Sequence, residues 1–150
     1  MKKISLSFLL FCLFSVHSTA IEIGSYFTSN DFYYQILSNS TVSCVEPSSA
    51  TTITIPEKIS YKFWDPQIEA YEEYTFTVIG IGDEHVREWG HVKNLTLPNT
   101  IVKFYDSYCY EFENLERVNI PSKITKLGDI FSSAPKLKQV IIPSGKAARV

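Results

Sequence analysis

Val92-Lys93-Asn94-Leu95-Thr96-Leu97-Pro98, Leu115-Glu116-Arg117-Val118-Asn119-Ile120-Pro121 and Leu137-Lys138-Gln139-Val140-Ile141-Ile142-Pro143 are one pattern written three times. The closing prolines stand at 98, 121 and 143, so the step is 23 and then 22 residues. Behind each proline the register continues: Ile101 and Phe104 answer to Ile124 and Leu127, and an earlier unit carries Val78, Ile81 and Gly82. A fixed period of this length marks stacked repeats.

The pattern has a mechanical reading. In L-x-x-L-x-L-P the last two apolar residues are two apart, which puts both side chains on one face of a strand. Thr96, Asn119 and Ile141 lie between them and point to the other face. The closing proline has no N–H to donate and suits the point where a strand leaves its ladder. Ile101 with Phe104, and Ile124 with Leu127, supply a second apolar edge that turns back over the same core. So short a unit cannot bury its apolar face alone, and neighbours must stack.

These residues resemble the BspA-like leucine-rich repeats of bacterial and protist surface proteins, whose unit runs L-x-x-I-x-I-P-x-x-V-x-x-I-G-x-x-A-F-x-x-C-x-N. Val118-Asn119-Ile120-Pro121, Ile124, Leu127-Gly128 and Phe131 follow it with one residue deleted. Leu95 to Asn114 follows it without gaps at the apolar sites, with Tyr105 for the glycine, Cys109 for the phenylalanine and Phe112 for the cysteine. The earliest unit has Ile81-Gly82, then Val86 and Trp89 at the last two sites. The resemblance covers about residues 50 to 143. It implies a mainly β, α/β-horseshoe-like fold: a short leucine-rich-repeat solenoid of about three to four turns with an N-terminal β-hairpin cap.

Lys2 and Lys3, the apolar run Ile4 to Val16 and then Ser18-Thr19-Ala20 read as a signal peptide cleaved after Ala20. No later segment approaches the length of a spanning helix. Residues 1–20 are therefore read as the leader, 21–77 as an N-terminal β cap, and 78–150 as the repeat solenoid. Within the cap, Asp31 to Leu37 and Thr41 to Val45 are β-rich runs around Ser38-Asn39-Ser40, which reads as a hairpin. Ile53-Thr54-Ile55-Pro56 reads as a first, degenerate repeat strand, with Ile59 three after its proline as in later units. Between Ile59 and Val78 an insertion breaks the register, carrying Tyr61, Phe63, Trp64, Tyr71, Tyr74 and Phe76 among Asp65, Glu69, Glu72 and Glu73. Those rings either pack over the first turn of the core or stand out from an edge of the stack.

The formal net charge is −2, and no basic run interrupts the chain, which argues against a nucleic-acid partner. His85, Glu88 and His91 are three apart, whereas a zinc H-E-x-x-H helix needs histidines four apart with the glutamate adjacent. They read as polar turn residues, and Asp83 with Glu84 and Glu72 with Glu73 as solvated turn charges. No G-x-S-x-G elbow, Gly-rich phosphate loop or C-x-x-C is present, so no enzymatic activity and no cofactor are expected. Cys44 and Cys109 remain once the leader is gone. The resemblance puts Cys109 at a core phenylalanine site, away from Cys44 on a cap strand, which implies two unpaired thiols. Asn39-Ser40-Thr41 and Asn94-Leu95-Thr96 match the glycosylation pattern and read as coincidental.

A repeat of this kind binds through the outward column of its strands. Here that column is Thr96, Asn119 and Ile141, with Asn94, Arg117 and Gln139 two residues earlier. The resemblance implies an exported, secreted or cell-surface module that mediates adhesion or protein binding, with host extracellular-matrix or surface proteins as partners. The alternatives are a glycan-binding module using Trp64 and Tyr71, and a structural spacer of a larger array.

Overall fold

The computed structural model describes residues 21–85, 88–105, 112–124, 127 and 130–143. The leader with its expected cleavage site, the Cys109 thiol, Val86 and the tail after Pro143 lie outside the described residues. Among the described residues ten strands follow in chain order: β1 (Tyr26–Ser29), β2 (Phe32–Ser38), β3 (Thr41–Glu46), β4 (Thr52–Thr54), β5 (Lys58–Asp65), β6 (Ala70–Ile81), β7 (Asn94–Thr96), β8 (Lys103–Phe104), β9 (Arg117–Asn119) and β10 (Gln139–Ile141). The described residues contain no helix, and the fold is mainly β.

The three quoted segments are neighbouring strands. A parallel sheet runs β10-β9-β7-β4, with Ile53, Leu95, Val118 and Val140 side by side. Thr52, Asn94, Arg117 and Gln139 are likewise aligned, so the strands step by 42, 23 and 22 residues. The apolar spacing also has a local cause. The Pro98 and Pro121 carbonyls each accept the amide of the apolar residue three further on, Ile101 and Ile124. A matching turn precedes each strand, in which Trp89, Phe112 and Ala134 accept from Val92, Leu115 and Leu137. Both turns recur with the period because each unit meets the same ladder at the same residue.

The second sheet mixes two kinds of pairing. Its parallel part brings Cys44 beside Ile81 and Ile81 beside Phe104, linking β3, β6 and β8. The expected hairpin is there, with β2 antiparallel to β3. β1 extends it through a two-residue loop in which Asn30 (φ 50°) and Asp31 (φ 64°) are both left-handed, as a type I′ turn demands. The hairpin region is therefore continuous with the repeat strands through β3 and β6.

The insertion is a β-hairpin of its own. β5 pairs antiparallel with β6 from Lys58↔Thr77 to Asp65↔Ala70. Its reverse turn is held by the Asp65 carboxylate, which accepts the Gln67 amide at 2.8 Å, and Glu69 sits at φ 51°. This arm accounts for the long first step, whose excess over the next is 42 − 23 = 19 residues. Alternation along the arm sorts its rings. Tyr61 and Phe63 turn inward with Tyr74 and Phe76, and the sheet curls until Phe27 of β1 lies 4.5 Å from Tyr61 and 5.6 Å from Phe76, centroid to centroid. Trp64 and Tyr71 turn outward and are exposed.

In the later units the core is filled by Trp89, Phe112 and Phe131, with ring centroids 5.9 Å apart at both steps. Trp89 is fully buried and donates its indole N–H to the Val45 carbonyl, so this large ring leaves no unpaired donor. Asp83 departs from the expected solvated turn charge. It is buried, and its carboxylate accepts the Tyr26 hydroxyl at 3.0 Å and the His85 amide at 2.8 Å. The sequence showed only an acid after a glycine; the partner that draws it inward is 57 residues away.

Candidate functional site

Two surfaces use side chains that the core does not need. The first is the outward face of the β10-β9-β7-β4 sheet. Thr96, Arg117 and Gln139 are exposed on it, and Ile141 is 38% exposed at its end. Asn94 is half-buried, and its amide donates to Thr52 Oγ1 at 3.2 Å. Asn119 is engaged further: its carbonyl accepts the Leu97 amide at 2.7 Å while its NH₂ donates to the Leu97 carbonyl at 2.8 Å. Its role is to hold the chain where it leaves β7. Of the six expected contact residues on this face, four are open and two are tied to neighbouring strands.

Charge gathers along the edge of this face. Lys138 donates to the Glu116 carboxylate at 2.7 Å, and Lys136 to Asn114 Oδ1 at 2.6 Å. The hydrogen bond and charge of Lys138, with Lys93 and Lys136 nearby, hold the Glu116 carboxyl below the usual carboxylate range. Lys93 comes from a different unit from Lys136 and Lys138, so the sequence does not show the three as a cluster.

The second surface is the outward side and tip of the arm. Trp64 and Tyr71 face each other across the strands, ring centroids 5.2 Å apart and planes 68° apart, with exposed Ile68 in the turn. Below them Lys62 stands opposite Glu73, and Ser60 Oγ lies 3.1 Å from Thr75 Oγ1. On the inward side the Tyr74 hydroxyl donates to Glu72, and this hydrogen bond, then burial and the Glu72 and Asp65 charges, raise its pKa. Ile68 was not singled out from sequence, because only the structure shows that the turn leaves it exposed.

The histidines are structural neighbours of the chain. His85 Nδ1 is 3.3 Å from Asp83 Oδ2, and His91 donates through Nε2 to the Ser48 carbonyl at 2.8 Å. Among the described residues no three His, Cys, Asp or Glu side chains converge as a metal site would require. A groove of about 400 Å³ lined by Thr28, Asp31, Tyr33, Glu46 and Pro47 is too open to enclose a small substrate. Cys44 is a buried free thiol. Burial raises its pKa and that of Tyr34 beside it, so it is a packing residue.

The repeat geometry has a counterpart in known proteins. A family profile described as a BspA type leucine rich repeat region matches residues 27–148 in six copies. The chain belongs to the BspA-type leucine-rich-repeat family. The match begins well before residue 50, where the motif first becomes readable, and takes in the hairpin strands that β6 joins to the repeats. A leucine rich cell surface protein from Faecalibacterium prausnitzii superposes with a TM-score of 0.58 at 20% identity, covering 78% of this chain and 30% of that one. A leucine-rich repeat protein from Bacteroides capillosus gives 0.52 at 15% identity, covering 79% and 98%. The chain thus spans under a third of the length of the first. At these identities the likeness is one of fold. No curated protein matches the chain. Among the described residues no helix is long and apolar enough to cross a membrane.

Proposed function

We propose that this BspA-type chain is an exported, non-catalytic protein-binding module of the cell surface, with adhesion to host matrix or surface proteins as its role. The observation that supports the reading is the alignment of Asn94, Arg117 and Gln139 on a parallel sheet, with Thr96 two residues further along β7, where Thr96, Arg117 and Gln139 are open to solvent while the alternate residues Leu95 and Val118 are buried in the core. Such a column offers hydrogen-bond donors and acceptors on a stiff support, which lowers the ordering cost of binding. The solenoid of three to four turns would supply that support, with residues 21–77 as its cap and a leader cleaved after Ala20 directing export. Secretion or surface display accords with the cell-surface description of the Faecalibacterium structure.

The test is surface plasmon resonance of the purified protein against a panel of extracellular-matrix proteins. Saturable binding should fall at least about tenfold when Arg117 is changed to Glu and Thr96 to Arg, the loss that about 1.4 kcal/mol produces. Asn119→Ala is a poor probe, since it leaves the Leu97 amide and carbonyl unpaired and destabilises the sheet. Binding that survives both outward changes would sink this surface as the contact site. A glycan at Trp64 and Tyr71 is the second reading, supported by the exposure of both rings. Their T-shaped arrangement works against it, because the edge of one ring occupies the face of the other and leaves no common platform for a sugar.

A further inference from the structure

Cations border the parallel sheet on the side where its strands begin. Lys93, Glu116 and Lys138 stand one residue ahead of the aligned Asn94, Arg117 and Gln139. Their backbones bond in turn, the Glu116 amide to the Lys93 carbonyl and the Lys138 amide to the Glu116 carbonyl. Lys138 by its hydrogen bond, and then Lys93 and Lys136 by their charge, hold the Glu116 carboxyl low, so three ammonium groups gather about one acid. Lys138 takes that acid at 2.7 Å, and Lys136 has the neutral Asn114 at 2.6 Å. Lys93 and Arg117 form no side-chain hydrogen bond or ion pair among the described residues. With Glu113 counted at the same border, the cations Lys93, Arg117, Lys136 and Lys138 exceed the acids by two, on a chain whose total is −2. All four cations are exposed, and this does not depend on being last in the sheet: Lys93 and Arg117 stay open although β9 and β10 follow them.

We propose that the partner of this sheet is acidic: an extended protein segment rich in Asp and Glu crosses the strands, its carboxylates on Lys93, Arg117 and Lys136. The inference rests on the sheet being a protein-binding surface and names the chemistry of the protein. Neighbouring strands are about 4.8 Å apart, so the border repeats on the scale of a few residues of extended chain. Exposed Thr96 and Gln139 beside the cations offer hydrogen bonds to the amides of such a segment. A densely sulfated polysaccharide is matched less well, because Glu113 and Glu116 stand among the lysines and repel it. The remaining 10 basic and 14 acidic residues of the chain carry −4. An acidic partner is therefore drawn to this border and turned away elsewhere, which orients the encounter.

Surface plasmon resonance with poly-L-glutamate and heparin as probes, beside the matrix-protein panel, tests it. The protein should bind poly-L-glutamate and the acidic members of the panel, with an association rate that falls as salt is raised. Lys93→Gln/Lys136→Gln should weaken both at least about threefold, and Lys93→Arg/Lys136→Arg should keep them. Unchanged circular dichroism and urea midpoint show that the altered chains are folded. Matrix-protein binding that is indifferent to salt and to Lys93→Gln/Lys136→Gln overturns the acidic partner and leaves the binding surface itself in place. Poly-L-glutamate binding that is lost in that variant, with no matrix protein bound, supports the acidic partner and sinks only its origin in the matrix. A protein that binds neither overturns both, and one that binds heparin alone overturns the proposal in favour of a sulfated polysaccharide.

Discussion

Gly80 and Tyr105 show how an irregular residue in one unit is accommodated by its neighbour. Tyr105 stands where the family unit has glycine, and its ring reaches back over Gly80 on the adjacent strand. A Cβ at Gly80 would lie 2.7 Å from Tyr105 Cε2 and 2.9 Å from Ser43 Oγ, and Ser43 is fully buried and bonded to the Gly82 carbonyl. Gly80→Ala should therefore destabilise by about 1–3 kcal/mol in urea unfolding. Adding Tyr105→Ala should recover only part of that, since the Ser43 contact remains. Tyr34 makes the opposite prediction. Its hydroxyl is buried with no hydrogen-bond partner among the described residues, and burial raises its pKa. Tyr34→Phe removes an unsatisfied group, so stability should hold or rise by up to about 1 kcal/mol. A clear loss would mean that the hydroxyl has a partner in solution.

Strand position decides what a repeated residue contributes. Val118 and Val140 occupy the same register position, yet Val118 is fully buried and Val140 is 41% exposed. Val118→Ala should cost about 2–3 kcal/mol, and Val140→Ala less than about 1 kcal/mol, by denaturant unfolding. Equal losses would place another apolar surface over β10. The link between β9 and β10 also has a pH signature. Glu116 has a depressed folded pKa from Lys138, so its contribution is present above the ordinary carboxylate value of about 4.3 and disappears as pH falls through the lower folded value. A thermal-melt difference between wild type and Lys138→Met should shrink toward zero on acidification and also with salt. Persistence at low pH would show that the lysine stem, and not its charge, does the stabilising.

At the scale of the whole molecule the arm is both an appendage and a wall of the core. Its outward rings are exposed, whereas Tyr61, Phe63 and Phe76 surround Phe27, with Phe63 5.5 Å from it edge-on. Replacing residues 60–77 by a short turn would shorten the first step toward that of the later repeats yet uncover Phe27 and Tyr34. The shortened chain should unfold at lower temperature and bind a hydrophobic dye, where loss of a mere surface loop would leave both readings unchanged. The repeats, by contrast, should tolerate changes locally, because each contacts chiefly its neighbours.

The sequence by itself determined the ladder. The L-x-x-L-x-L-P segments, their 23- and 22-residue steps and the apolar residues three after Pro98 and Pro121 all appear as strands and turns at those positions. The β2–β3 hairpin and the strand at Ile53 were also readable, because alternation and turn residues are local signals. Tertiary structure decided the rest. It made the insertion a hairpin, sent four of its rings inward and two outward, buried Asp83 against Tyr26 and gave the Asn119 amide to Leu97. It also gathered Arg117, Lys136 and Lys138 from two units onto one edge and left Val140 open there. A repeat records what one unit offers its neighbours, and that is written within 23 residues. Which side chains meet across the curl of a sheet, or remain uncovered at its end, depends on partners far along the chain, and no local pattern carries that information.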